Sequence, residues 1–174
     1  MTTRRLPALL ALALTFAAPA LAEADTGTLS VQLGATGLDQ ADRSWHPTLR
    51  TDFAFDLVGP LQAGGYMQIM AAEVPLKSPG LGGGVLLALR PEIPVVHLRP
   101  LLELSGGRTQ LTLAQNHKEV AWVTAAAVGL GVPIAQGAFF EARVTHQWFH
   151  QLPEDSALAS RSWVVTGGLS FDIP

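Results

Sequence analysis

RSWVVTGGLSFDI, residues 161–173, separates into two chemically different faces when it is taken two residues at a time. Trp163, Val165, Gly167, Leu169, Phe171 and Ile173 fall on one side, and Val164, Thr166, Gly168, Ser170 and Asp172 on the other. That is the period of a strand and not of a helix. One face suits hydrocarbon and the other suits water or a polar lumen, with Trp163 at one end of the apolar band and Phe171 near the other. Strands that cross a bilayer as part of a closed barrel have this composition.

Seven further segments of the same kind precede it. Residues 28–36 set Leu29, Val31, Leu33 and Ala35 against Ser30, Gln32 and Gly34. After a polar connection, residues 48–58 place Leu49, Thr51, Phe53, Phe55 and Leu57 outward and Arg50, Asp52, Ala54 and Asp56 inward, because each charge would cost kilocalories in a lipid core. Residues 59–65 read as a Gly- and Pro-rich turn and 66–75 as the third strand, in which Glu73 interrupts either face. Lys77-Ser78-Pro79-Gly80 reads as a tight turn and 81–90 as the fourth strand, with Val85, Leu87 and Leu89 alternating with Leu86, Ala88 and Arg90.

The fifth strand begins near Val96, with Val96, Leu98, Leu102 and Leu104 outward and His97, Arg99, Glu103 and Ser105 inward. Past Gly106-Gly107 the apolar parity changes to Leu111 and Leu113, the mark expected of a β-bulge. Residues 120–133 are uncharged but too short for a spanning helix, which needs about 20 residues. As a strand they send Trp122, Thr124, Ala126, Val128, Leu130 and Val132 outward. Residues 138–149 set Phe140, Ala142, Val144 and Trp148 against Glu141, Arg143, Thr145 and Gln147. The reading is an all-β, eight-stranded antiparallel up-and-down transmembrane β-barrel, closed because lipid offers no partner for an open edge. Connections after the odd strands carry Asp42, Lys77, Lys118, Glu119, Glu154 and Asp155, whereas those after the even strands are rich in Gly and Pro.

Composition agrees with a chain that alternates. Only 14% of the 174 residues are charged and 48% are hydrophobic, yet no apolar run has the length of a membrane helix. There is no cysteine, which removes disulfides and thiolate metal sites. Residues 1–22 read as a signal peptide, with Arg4 and Arg5 before an apolar stretch and Ala20-Leu21-Ala22 at the cleavage site, leaving 23–174 as the barrel domain. Removing those two arginines makes the formal charge of −3 two units more negative, which disfavours a nucleic-acid partner.

With a leader, eight alternating segments and the closing Gly168-Leu169-Ser170-Phe171, the chain resembles the small eight-stranded outer-membrane barrels of Gram-negative bacteria, of the OmpX and OmpA-transmembrane-domain kind. The resemblance implies a monomer in the outer membrane, in contact with its lipid and lipopolysaccharide. It also implies delivery by the barrel-insertion machinery through the C-terminal strand. Family members usually finish on the aromatic residue, whereas here Asp172, Ile173 and Pro174 follow Phe171.

The inward charges Arg50, Asp52, Asp56, Arg90, Arg99, Glu103, Glu141, Arg143 and Asp172 include both signs. They are expected to pair and fill the lumen, since eight strands leave an interior just wide enough for side chains. Trp122, Trp148, Trp163 and Phe171 are the candidate interface aromatics. His46, His117 and His150 are expected as solvated histidines in or beside the loops, with His146 just below; no metal or cofactor is implied. Two other classes keep the same period. A lipid A-modifying enzyme would use His146 or His150 with Ser156, Ser160 or Ser162 and Glu154, although no His-x-Ser spacing is present. A soluble lipocalin-like barrel would put the apolar face inside. Arg and Glu sharing a face with Gly and Ala favour the membrane orientation.

Overall fold

Alternation of polar and apolar residues makes each strand two-faced, and eight of them can hide both faces only by closing on themselves. The structure, a computed structural model, describes residues 26–38, 45–71, 76–113, 118–152 and 160–173. Its strands are β1 (Gly27–Leu38), β2 (Trp45–Val58), β3 (Leu61–Met70), β4 (Leu76–Leu89), β5 (Arg99–Leu113), β6 (Lys118–Ala135), β7 (Ala138–His150) and β8 (Arg161–Ile173). Each pairs antiparallel with the next, and β1 pairs with β8 from Gly27 opposite Ile173 to Leu38 opposite Ser162, which closes the barrel. Residues 1–22, expected as a signal peptide, and Asp42, Glu73, His117, Glu154, Asp155 and Ser156 lie outside the described residues.

The two ends differ. At one end, here the turn end, β2 and β3 are joined by Gly59-Pro60 and β6 and β7 by Gln136-Gly137. Gly59 and Gly137 take positive φ angles of 54° and 67°, which a two-residue hairpin requires and glycine supplies without strain. The β4–β5 link is longer, with a bridge between Ile93 and Leu98. The opposite end, where the other four connections begin, is the loop end.

Arg50, Asp52, Glu103, Glu141 and Arg143 are buried inside, while Leu29, Val31, Leu33, Phe53, Leu87, Leu102, Leu104, Val128, Val144 and Val165 stand exposed around the outer wall. Charge is therefore within and hydrocarbon without, the reverse of a lipocalin-like barrel. Tight curvature makes some inward positions intolerant of a side chain. A Cβ on Gly84 or Gly107, which face each other across β4 and β5, would overlap the opposite backbone.

Several local expectations are corrected. β3 starts at Leu61 and ends at Met70, five residues earlier than the spacing predicts, because Gly64 and Gly65 lie within the strand and the turn is only Gly59-Pro60. Lys77, Ser78, Pro79 and Gly80 belong to β4, whose pairing with β5 shifts register between Leu76 and Leu81. Val96 and His97 form the turn before β5, with His97 at φ 51°. Lys118 and Glu119 open β6, and Glu119 is buried.

No bulge occurs at Gly106-Gly107: pairing with β6 runs unbroken from Arg99 opposite Gly131 to Thr112 opposite Lys118. The geometric parity is constant and the chemistry changes, so that Leu111 is buried inside while Arg108 and Gln110 are exposed outside. The reason is an apolar cluster inside the loop end, where Leu111 packs with Met70, Ala121, Val123 and Phe149.

Candidate functional site: the charged lumen and the tryptophan band

The period of two in β2, β5 and β7, with Arg90 directly after β4, aims these charges at one another across the barrel. Arg50 Nε donates to Asp52 Oδ1 at 2.7 Å and its Nη2 to Glu103 Oε1 at 2.6 Å. Arg143 Nη1 donates to Glu103 Oε2 at 2.7 Å and lies 2.8 Å from Asp52 Oδ2, while Nη2 donates to Glu141 Oε1 at 2.6 Å. Arg90 Nη1 lies 3.3 Å from Glu141 Oε2. Three guanidinium groups thus meet three carboxylates, and the cluster carries no formal net charge. Charges taken out of water are tolerable only when paired and hydrogen-bonded in this way.

Neutral side chains extend the cluster. Gln32 Nε2 donates to Glu141 Oε1 at 2.5 Å, and Gln32 Oε1 accepts from Thr166 Oγ1 at 2.6 Å. Toward the loop end, Gln147 Nε2 donates to Gln68 Oε1 at 3.1 Å and Ser162 Oγ to Gln147 Oε1 at 3.0 Å. The apolar cluster of Met70, Leu111, Ala121, Val123 and Phe149 lies beyond them.

The remaining predicted charges are at the turn-end mouth. Arg99 Nη1 and Nη2 donate to Asp172 Oδ1 and Oδ2 at 2.6 and 2.9 Å, and its guanidinium lies 3.7 Å from the Phe139 ring centroid. Asp56 accepts from Gln62 Nε2 at 2.6 Å and from Thr26 Oγ1 at 2.5 Å, so hydrogen bonds hold it where an ion pair is expected.

Outside, the tryptophans gather at the loop end. Trp163 is opposite Gly37 and His146, Trp122 is opposite Arg108 and His150, and Trp148 is opposite Thr124 and Arg161. Trp45, which the sequence reading leaves in a connection, is the first residue of β2 and lies over Gly37. Its signal is present in the chain, since Trp45 is in phase with Leu49 and Phe53. Phe171 and Phe140 stand exposed near the turn end.

His46 is not a solvated loop residue: it lies in β2 and is fully buried. His146 faces outward, stacked on Trp163 at 4.3 Å and tilted by 31° against Trp148 at 4.4 Å between ring centroids. His150 is exposed, with Nε2 2.8 Å from Thr124 Oγ1. Ser162 is buried on the lumen side of the wall, so neither outward histidine reaches it to form a hydrolytic pair. Among the described residues, no three His, Asp or Glu side chains converge as a metal site.

No protein-family model and no curated protein sequence matches the chain. Among solved structures it is similar to the N-terminal β-barrel domain of Pseudomonas aeruginosa OprF, with a TM-score of 0.62 and 12% identity over 84% of this chain and 99% of that one. It is similar to Neisserial surface protein A, with a TM-score of 0.60 and 10% identity over 84% and 95% of the two chains. It is also similar to the outer membrane protein OprG from Pseudomonas aeruginosa, with a TM-score of 0.54 and 13% identity over 86% and 96%. The fold is that of the small eight-stranded outer-membrane barrels.

Proposed function

We propose that the chain is an integral outer-membrane barrel whose lumen is closed by its own side chains, serving envelope structure or surface interaction without catalysis. The observation that carries this reading is the division of faces. Arg50, Arg90 and Arg143 are buried within against three carboxylates, and a belt of exposed Leu, Val and Phe surrounds them. Lipid and lipopolysaccharide are the partners of that belt. The turn end faces the periplasm and the loop end the exterior, following the usual asymmetry of such barrels. β8, with Phe171 near its end, is the strand presented to the insertion machinery, and the chain acts as a monomer.

Two measurements on the refolded chain test the reading. A closed membrane barrel migrates on a gel at different positions before and after boiling, and a filled lumen gives no unitary conductance in a planar bilayer. A chain that is monodisperse without detergent overturns the membrane assignment; steady conductance overturns the closed lumen.

A further inference from the structure

We propose that Gln151 and Leu152, which follow directly on β7, form a hinged lid on the apolar cluster inside the loop end, with Gln151 as the hinge and Leu152 as the catch. This deepens the closed-lumen reading above and rests on it.

Along β7 the side chains of Glu141, Arg143, Thr145, Gln147 and Phe149 are buried inside, and His150 is exposed outside. Continued at the same period, Gln151 would enter the lumen and Leu152 would leave it. The structure has the opposite arrangement. Gln151 is exposed, while Leu152 is partly buried and packs against Met70, Leu111, Ala121, Val123 and Phe149. A single residue causes the reversal, since Gln151 has a φ of 62°, in the left-handed region.

The wall just before the hinge is fixed. Phe149 N donates to Ser160 O at 2.8 Å, and His150 is opposite Trp122, where the β6–β7 ladder stops. That ladder does not extend to Gln151, so its conformation is set by what Leu152 gains. At the turn end, Gly59 and Gly137 supply positive φ without strain, whereas position 151 keeps a side chain and carries the strain. Burial of Leu152 on the cluster offsets that cost, and the two effects are of the same order. Two arrangements follow. In the closed one the hinge is strained and the catch is seated; in the open one Gln151 relaxes to an extended backbone and withdraws Leu152. Opening uncovers the cluster from the loop end and leaves the ion pairs below it untouched.

The chain has no cysteine, so one introduced thiol reports alone. A121C puts it in the cluster, where Ala121 is 1% exposed, and its rate of reaction with N-ethylmaleimide is measured on the chain refolded in detergent. L152A should raise that rate about tenfold by weakening the catch. Q151P, whose ring holds φ at about −65° and forbids the left-handed hinge, should raise it to a similar extent. Q151G, which takes the left-handed conformation without strain, should lower it about threefold. A thiol inside the turn end, S170C, should react at the same rate in every background, and a parallel rise there would overturn the assignment to the lid. Equal A121C rates in wild type, L152A and Q151P, or faster reaction with Q151G, also overturn it. The heat-dependent gel shift is recorded on every sample, and wild-type conductance in a planar bilayer is recorded alongside. Steady conductance identifies failure of the closed-lumen reading, whereas a silent bilayer with uniform A121C rates identifies failure of the lid alone.

Discussion

Arg143 Nη1 lies 2.7 Å from Glu103 Oε2 and 2.8 Å from Asp52 Oδ2, so a single nitrogen carried by β7 ties together carboxylates from β5 and β2. The three strands are not neighbours in the barrel wall. The contact therefore acts as a cross-brace through the interior.

Removal of that brace leaves two cations facing three carboxylates. R143M is expected to lower stability by about 3–5 kcal/mol, the cost of leaving buried charge uncompensated. Adding E103Q restores the balance of sign, so the double variant should cost less than the sum of the two single variants. Urea unfolding of the refolded chain in micelles, followed by gel shift, gives all four values. Additive losses would mean that the cluster does not act as a unit.

The adjacent glycines of β5 should behave oppositely. A Cβ on Gly107 overlaps the backbone of Gly83 and Gly84, while a Cβ on Gly106 has its nearest neighbour, the Val123 carbonyl oxygen, at 3.8 Å. G107A is expected to cost about 1–3 kcal/mol by overpacking, and G106A to be neutral or slightly stabilising. The same unfolding assay checks the pair.

Depth in the membrane is read by arginine placed on the outer wall of β6. Val128 is in the middle of the apolar belt, and Val120 lies beyond Trp122 toward the loop end. V128R should cost about 2–4 kcal/mol and V120R about 0–1 kcal/mol. Refolding yield into lipid vesicles distinguishes them, and equal penalties would contradict the tryptophan band as the boundary of the hydrocarbon.

At the turn end, the Arg99–Asp172 pair is partly open to water, so its contribution is modest and sensitive to salt. R99A is expected to lower stability by no more than about 1 kcal/mol at low salt, with the difference shrinking in 1 M salt. The deficit of R143M should persist in the same salt. Planar-bilayer recordings of R99A should stay silent, because Arg90 and Glu141 remain paired deeper in the lumen.

The closed barrel and its inward charges were legible because strand period is two and because charge in lipid is prohibitive. What failed were places where the two rules separate. β5 keeps its geometric parity through Gly106-Gly107, but its apolar residues cross from the outer wall to the interior, and hydropathy alone reads that as a slipped register. Gly64 and Gly65 read as a turn in the sequence and so push the expected β3 toward the C-terminus, whereas Gly64 faces Ala54 across a strand contact too close for any side chain. Asp42 and Arg43 make the stretch before β2 read as a polar connection that takes in Trp45 and His46, although both continue the alternation of β2.

The apolar cluster of Met70, Leu111, Ala121, Val123 and Phe149 gives the closed lumen a second seal of opposite chemistry. Water arriving from the loop end meets this oily stopper before it reaches the cluster of Arg50, Glu103 and Arg143. Replacing Asp52 or Glu103 by its amide would loosen the ionic seal and leave the oily one in place. An agent that dissolves the oily one leaves the arginines still bound to their carboxylates. A passage through this barrel therefore requires two unrelated failures at once.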